Sequence, residues 1–504
     1  MKKALPVLFL LLHSFFLFAQ TPDFIRDSLD TYIQQGMKDW QVPGLAVVIV
    51  KDGKIAWMKG YGVSDLVSRT AVDENTLFMI ASNTKLFTAT ALSQLAYDKK
   101  ISLDDKFTKY YPAFKLYDPL TTAQVTVKDL LCHRIGTKTF QGDFTYWNSR
   151  LSRSEIMNKM QLMKPVGLFR QDYGYCNSCV MAAGQVIPKV TGMEWQTYVR
   201  DSILLPLQMN ATLTSIKELP AGRQLSKAYT SSFTGTLKQV PWDQWDNLGP
   251  AASLISNVSD LAHWLTFQLD SGRYQGRQIM PFDVLQKTRD INIMLTSRKS
   301  AAFPTHMVGY GLGLFAADYN GRQVYWHTGG AAGMVSVVCF VPEERLGIAV
   351  LTNNDNQNFF GALRAQILDA YLGVAWHNRS QQYLKGFSKE MEDTLLTIHG
   401  WQQRVKGALP EQPLSGYTGH YTNPLYGSLD IRQEQNHLKV TFNGHDKLFA
   451  KLDYMDNGEW LLQYENIEYG IFATRFSIEK GKVISLVTRQ SDFVEIDPYV
   501  FTRQ

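Results

Sequence analysis

Thr76-Leu77-Phe78-Met79-Ile80-Ala81-Ser82-Asn83-Thr84-Lys85 runs on into Leu86-Phe87-Thr88-Ala89-Thr90-Ala91-Leu92-Ser93-Gln94-Leu95, and the reading of this stretch decides the fold. Apolar residues at helical spacing predict an amphipathic helix. Ser82 and Lys85, three apart, share one face, so the amine sits beside the hydroxyl. The first turn also presents free N–H groups and the positive end of the dipole to any developing anion. A serine hydroxyl is a poor nucleophile until a base takes its proton. A lysine whose pKa is lowered by burial is such a base. Alone the pair is a weak signal, because an N-cap serine with a solvated lysine has the same spacing.

Working outward, Gly44–Val50 reads as a strand, Asp52-Gly53 as a hairpin turn and Lys54–Lys59 as the returning strand, after a helical stretch over Ile25–Trp40. Beyond the Ser82 helix lies a long mixed region with helix signals near Val127–Cys132, Ser154–Met160, Ser178–Val190 and Asp260–Trp264. Strand patterns return at Tyr310–Phe315, Gln323–His327, Met334–Val341 and Leu346–Asn353, and a helix follows over Gly361–Leu372. Strands at both ends of a helical middle predict an α+β fold: one antiparallel sheet closed by distant parts of the chain, flanked by helices, with a helical subdomain.

The pattern then changes twice. A charged helix over Tyr383–Val405 and Gly407-Ala408-Leu409-Pro410 read as a linker, residues 376–413. From 414 to 504 the sequence is all-β, with seven short strands between Gly419 and Arg489 separated by turns such as Asn443-Gly444, Asn457-Gly458 and Lys480-Gly481. This predicts a small all-β domain, an up-and-down barrel with a sandwich as the alternative, behind a main domain over residues 21–375.

Met1-Lys2-Lys3, an apolar run to Phe18 and Ala19-Gln20 have the form of a secretory leader, residues 1–20, which places the mature protein in the periplasm or outside the cell. The run is short for a membrane span and broken by Pro6 and His13, and no later stretch reaches membrane length. Without the leader the formal charge falls from 51 − 46 = +5 to 49 − 46 = +3, and no basic run or motif suggests a nucleic-acid partner. The cysteines are Cys132, Cys176, Cys179 and Cys339. Cys176 and Cys179 have C-x-x-C spacing without a second pair or histidine to complete a metal site. They read as small residues packed at a helix start, with a local disulfide as the alternative.

Two further motifs give Ser82 and Lys85 a context. Tyr175-Cys176-Asn177 places a tyrosine two before an asparagine, just ahead of a helix; Tyr173 lacks such an asparagine. His327-Thr328-Gly329-Gly330 ends a strand. In their order, Ser-x-x-Lys, Tyr-x-Asn and His-Thr-Gly, the chain resembles the serine β-lactamase and penicillin-binding-protein superfamily, most closely its class C-like branch of exported peptidases and esterases. Pro206-Leu207-Gln208-Met209-Asn210-Ala211-Thr212, Ser256-Asn257-Val258-Ser259-Asp260-Leu261-Ala262 and Tyr310-Gly311-Leu312-Gly313 are similar to other segments of that branch. The resemblance covers about Asp23 to Leu372, and the C-terminal part is similar to the lipocalin-like domain that often follows.

The resemblance implies an acyl-enzyme on Ser82, with Lys85 and Tyr175 sharing the proton transfers in an order left open. It implies that Asn177 bonds Lys85 and the substrate amide, and that His327, Thr328 and Gly329 line the substrate site. The N–H groups of Ser82 and Gly330 would form the oxyanion hole. It implies no metal and no organic cofactor, and a small-molecule or short peptide substrate; the oligomeric state is left open. Three departures stand out. His327 replaces the usual lysine and is a weaker cation near neutral pH, which points away from antibiotic hydrolysis and toward esterase, amidase or D-amino-acid peptidase work. His133-Arg134-Ile135-Gly136 replaces His-x-Ser-Gly, and Cys176 replaces a serine. β-Lactamase activity proper and a non-turnover penicillin-binding or peptidoglycan-sensing role are the alternatives. No Gly-x-Ser-x-Gly elbow occurs, against an α/β-hydrolase.

Overall fold

The computed structural model describes residues 21–220 and 222–504; the leader read at 1–20 lies outside the described residues. Eight antiparallel strands form the main sheet. They are β1 (Gly44–Lys51), β2 (Lys54–Gly62), β3 (Ile293–Thr296), β4 (Val308–Tyr310), β5 (Phe315–Tyr319), β6 (Arg322–Ala331), β7 (Met334–Val341) and β8 (Leu346–Thr352), in the order β2-β1-β8-β7-β6-β5-β4-β3. Pairing of β1 with β8, from Leu45 opposite Thr352 to Lys51 opposite Leu346, joins the two ends of this domain. The strand read over Tyr310–Phe315 is corrected: Tyr310 ends β4, Phe315 begins β5, and 311–314 connect them, with Gly313 at φ +73, where a Cβ would meet the Lys85 carbonyl oxygen at 2.6 Å. The chain turns at that point to let the Ser82 helix pass.

Period-two alternation in β1 sends side chains into two cores. Leu45, Val47 and Ile49 face a core with helices α1 (Leu29–Asp39) and α5 (Phe359–Tyr371), while Ala46, Val48 and Val50 face the helical subdomain. The subdomain is centred on α2 (Thr84–Tyr97), with α3 (Asn177–Gly184) and α4 (Val258–Leu269) among the helices around it. The amphipathic reading of α2 is corrected: eleven of its fourteen residues are buried, because neighbours cover it on nearly every side. Phe87 stacks on Trp264 of α4, ring centroids 4.0 Å apart.

A long helix, α6 (Arg379–Gln403), leads to the C-terminal domain. There β9 (Gly419–Asn423), β10 (Gly427–Glu434), β11 (His437–Phe442), β12 (Phe449–Tyr454), β13 (Glu459–Tyr464), β14 (Ile471–Glu479), β15 (Lys482–Thr488) and β16 (Tyr499–Arg503) close into an eight-stranded antiparallel barrel. The closing strand, β16, is the one absent from the sequence reading; it pairs with both β15 and β9 and so removes the open edges. Among the described residues no helix is long and apolar enough to cross a membrane.

The barrel docks on residues 138–150 of the first domain. Phe144 stacks on His445 (4.5 Å) and Tyr499 (5.7 Å), and its carbonyl accepts a hydrogen bond from His445 Nε2 at 2.8 Å. Buried residues of the helical subdomain and of the barrel form one continuous apolar cluster.

Candidate active site

Ser82 lies in the single 3₁₀ turn Ala81–Asn83 that opens into α2. Ala81 before it has φ +46, a left-handed conformation uncommon for a residue with a side chain. Lys85, the second residue of α2, is fully buried and makes three hydrogen bonds: to Ser82 Oγ (2.9 Å), Asn177 Oδ1 (2.7 Å) and the Ala251 carbonyl (2.9 Å). These match the three donors of an ammonium. Burial holds Lys85 down at about 7, against a weaker opposite pull from Asp143. In the neutral form the amine keeps its bonds to Asn177 and Ala251 and turns its lone pair to the Ser82 hydroxyl.

Asn177 is the first residue of α3, and its amide is oriented from behind: Nδ2 donates to Asp143 Oδ2 at 2.6 Å, which leaves Oδ1 for Lys85. The Tyr175 hydroxyl lies against the Ser82 side chain, and the Lys85 ammonium is 4.7 Å from the Tyr175 ring centre. Burial pushes the Tyr175 phenol well up, so it keeps its proton at neutral pH. Ser82, Tyr175, Asn177, His327, Thr328, Gly329 and Gly330 all line one cavity of about 660 Å³.

The β6 wall of that cavity is shaped by its glycines. A Cβ on Gly329 would lie 2.0 Å from the Ile80 carbonyl oxygen, so only glycine lets the strand come this close to the turn carrying Ser82. β5 pairs with β6 only as far as Trp326. From His327 onward the outer edge of β6 has no strand partner among the described residues, and His327, Thr328, Gly329 and Gly330 line the cavity.

His327 sits in a hydrogen-bonded chain with one consistent direction. The Cys176 N–H donates to His133 Nδ1 (3.0 Å), so His133 carries its proton on Nε2, toward the Tyr310 hydroxyl (3.2 Å). Tyr310 then donates to His327 Nε2 (3.0 Å), and His327 Nδ1–H donates to the Thr328 carbonyl (2.5 Å). Burial and the nearby Lys85 charge hold His327 at about 3, and burial holds His133 well below its usual value. Both rings are neutral. His133, in the segment that departs from His-x-Ser-Gly, is fully buried and ties the start of α3 to Tyr310 of β4.

The β-lactamase family profile matches residues 29–372, more than half of the chain. The chain belongs to the β-lactamase family. Residues 403–502 match a domain of unknown function (DUF3471). Similar proteins include an unguisins hydrolase of Aspergillus campestris, 28% identical over 79% of this chain and 76% of the relative, and one of Aspergillus violaceofuscus, 24% identical over 79% and 75%. The protein flp of Staphylococcus aureus is 27% identical over 66% of this chain and 64% of its own. Among solved structures, the octameric penicillin-binding protein homologue from Pyrococcus abyssi superposes with a TM-score of 0.60 at 20% identity, over 94% of this chain and 99% of that one. The fold, with its C-terminal barrel, is thus that of a β-lactamase-family serine hydrolase.

Several residues at this β-lactamase-family site lie outside the sequence motifs. Asp143, behind Asn177, belongs to no motif; burial pushes its carboxyl well up. Glu495, from the barrel, accepts the backbone N–H groups of Gly142 (2.9 Å) and Phe144 (3.0 Å) on either side of Asp143. Phe493 and Glu468, also from the barrel, line the cavity. No local pattern marks these, because the barrel meets the cleft only through tertiary docking. Cys176 and Cys179 are free thiols with their sulfurs 2.8 Å apart, buried at the start of α3.

Proposed function

We propose that this chain is an exported hydrolase that cleaves amide or ester bonds through an acyl-enzyme on Ser82, acting on D-amino-acid-containing peptides or small esters. The observation that carries the reading is the Ser82 hydroxyl held 2.9 Å from a buried amine near pKa 7, with a protonated phenol beside it. Lys85 takes the Ser82 proton as Oγ bonds to the substrate carbonyl carbon. The N–H groups of Ser82 and Gly330 receive the oxyanion; such a donor is worth about 2.7–4 kcal/mol of barrier. The tetrahedral intermediate collapses, the bond to the amine or alcohol breaks, and the Tyr175 hydroxyl protonates the leaving group and is reprotonated from Lys85. Water then attacks the acyl carbon, gives its proton to the Lys85/Tyr175 pair, and Ser82 leaves as the hydroxyl.

Asn177 fixes Lys85 and offers its amide to the substrate. His327, Thr328 and Gly329 line the substrate's path. With His327 neutral this path lacks the cation that would grip an antibiotic carboxylate, which favours peptides and esters over β-lactams. Relatives named as hydrolases favour turnover over stalled binding. The leader pattern at 1–20 supports export.

The test sets wild type against Ser82→Ala on a chromogenic cephalosporin, p-nitrophenyl acetate, a D-Ala-D-Ala peptide and D-amino-acid anilides. Ester and anilide turnover well above cephalosporin turnover, lost in the variant, is expected. Turnover surviving Ser82→Ala overturns the nucleophile assignment, and a burst without steady turnover supports a penicillin-binding sensor instead.

A further inference from the structure

The cavity continues along β6 past Gly330, and its chemistry changes there. Among the described residues no lysine or arginine lines it, while Asp355, Glu468 and Asp492 do; Asp492 is paired with Arg489 at 2.9 Å and the other two have no such partner. Behind them Asp243 is fully buried. Both aspartates anchor the turn between β6 and β7: Asp243 Oδ2 accepts the Ala332 N–H (2.7 Å) and Asp355 Oδ2 the Gly333 N–H (2.8 Å). Glu468 comes from the barrel, and its Oε1 accepts from Trp147 Nε1 (3.2 Å). Asp355 Oδ1 is out of contact with solvent and accepts no hydrogen bond.

Three carboxyls therefore crowd one end of the cleft without an ion pair. Burial pushes Asp355 up to about 6, and burial together with the neighbouring carboxyls pushes Asp243 up to about 7 and Glu468 well above its usual value. An ammonium bound here would favour their charged forms. Among the described residues no group of three or more His, Cys, Asp or Glu side chains is arranged to hold a metal ion. The walls include the aromatic rings of Trp147 and Phe493, centroids 6.1 Å apart, which suit an organic cation. The β6 position where the family carries lysine is the neutral His327, so the cleft has no cation there of the kind that selects a carboxylate.

Resting on the hydrolase reading above, we propose that Asp355 and Glu468, backed by Asp243, form a cation subsite that selects substrates by an ammonium group lying beyond Gly330. β6 ends at Ala331 and the chain reverses through Ala332 and Gly333 into β7, so the turn that the two aspartates anchor begins two residues past Gly330. Asp355 and Glu468 line the cavity at this end, which places the ammonium one to two residues from the scissile carbonyl. The substrate class is accordingly an unblocked short peptide or a comparable amino-amide or amino-ester.

The test compares the p-nitroanilides of D-Ala-D-Ala with a free, an acetylated and a succinylated amine. The free amine is expected to be favoured by at least about tenfold in kcat/KM, mainly through KM, as for an ammonium losing a buried carboxylate partner. In Asp355→Asn and Glu468→Gln, which keep an acceptor oxygen and similar shape, the preference should shrink to within about twofold while a fluorophosphonate still labels Ser82. Where no anilide turns over, protection of Ser82 from the fluorophosphonate reads the same site. Benzylamine should protect at about tenfold lower concentration than benzyl alcohol in wild type, and not in the variants. A preference for the blocked substrates, equal protection by amine and alcohol, or a preference unchanged in correctly folded variants overturns the subsite. Failure of wild-type Ser82 to react with the fluorophosphonate overturns the hydrolase reading instead.

Discussion

At Lys85 the fold puts an amine where water cannot reach it and surrounds it with oxygens rather than carboxylates in contact. Desolvation dominates, so the amine titrates at about 7 and is partly free to accept a proton at neutral pH. The protonated form cannot take the Ser82 proton, so kcat/KM should fall with unit slope below an apparent pKa near 7 and level off above it. His327, at about 3, contributes no limb between pH 5 and 9. A pH–rate profile on a neutral ester checks this, and a flat profile across that range would remove Lys85 as the base. Lys85→Ala should lower kcat by about a hundred- to ten-thousand-fold, the usual range for a lost acid–base group. Asp143 acts one shell out by fixing the Asn177 amide. Asp143→Ala should lower kcat by about tenfold or more, less than Lys85→Ala, with KM little changed.

β6 shows how an element can be specified by absent side chains. Gly329 has the Ile80 carbonyl in the way of any Cβ, at 2.0 Å, and a backbone oxygen cannot rotate aside. Gly329→Ala should therefore displace the strand, lower stability by about 1–3 kcal/mol as overpacking does, and abolish Ser82 labelling. Gly330 differs, because its Cβ would meet the Phe493 ring at 2.8 Å, a side chain contributed by the barrel. Gly330→Ala should lose activity that Gly330→Ala/Phe493→Ala regains. A double-mutant cycle of kcat/KM measures that coupling, and strict additivity would show that the contact does not govern the strand.

For the whole molecule, the second domain is part of the cleft rather than an appendage. One continuous apolar cluster runs from Leu92 in α2 to Leu429 and Trp460 in the barrel. Glu495 holds the backbone on both sides of Asp143. Calorimetry should accordingly show one unfolding transition rather than two. Glu495→Ala leaves two buried N–H donors without partners, at about 1–3 kcal/mol each, and should lower both the melting temperature and the rate of Ser82 labelling. Two separate transitions in the wild type would contradict a shared core.

The sequence by itself determined the elements whose signals are local. A continuous apolar run specified Met334–Val341, and apolar residues between turn signals specified His437–Phe442 and Glu459–Tyr464, with the bounds the structure has; three short motifs named residues that line the cleft. Their meeting is a tertiary fact. Which nitrogen of His327 is protonated depends on Tyr310 and His133, 17 and 194 residues away by number. The depressed Lys85 depends on burial by helices that share no sequence pattern with it. Asp143, Glu468, Phe493 and Glu495 carry no motif, because their roles come from where the barrel docks. Closure of that barrel by Tyr499–Arg503 was likewise decided by strand partners on both sides, not by a pattern within the strand. Periodicity and turn chemistry act between near neighbours, whereas desolvation, charge and hydrogen-bond direction are set by whatever the fold brings within a few ångströms.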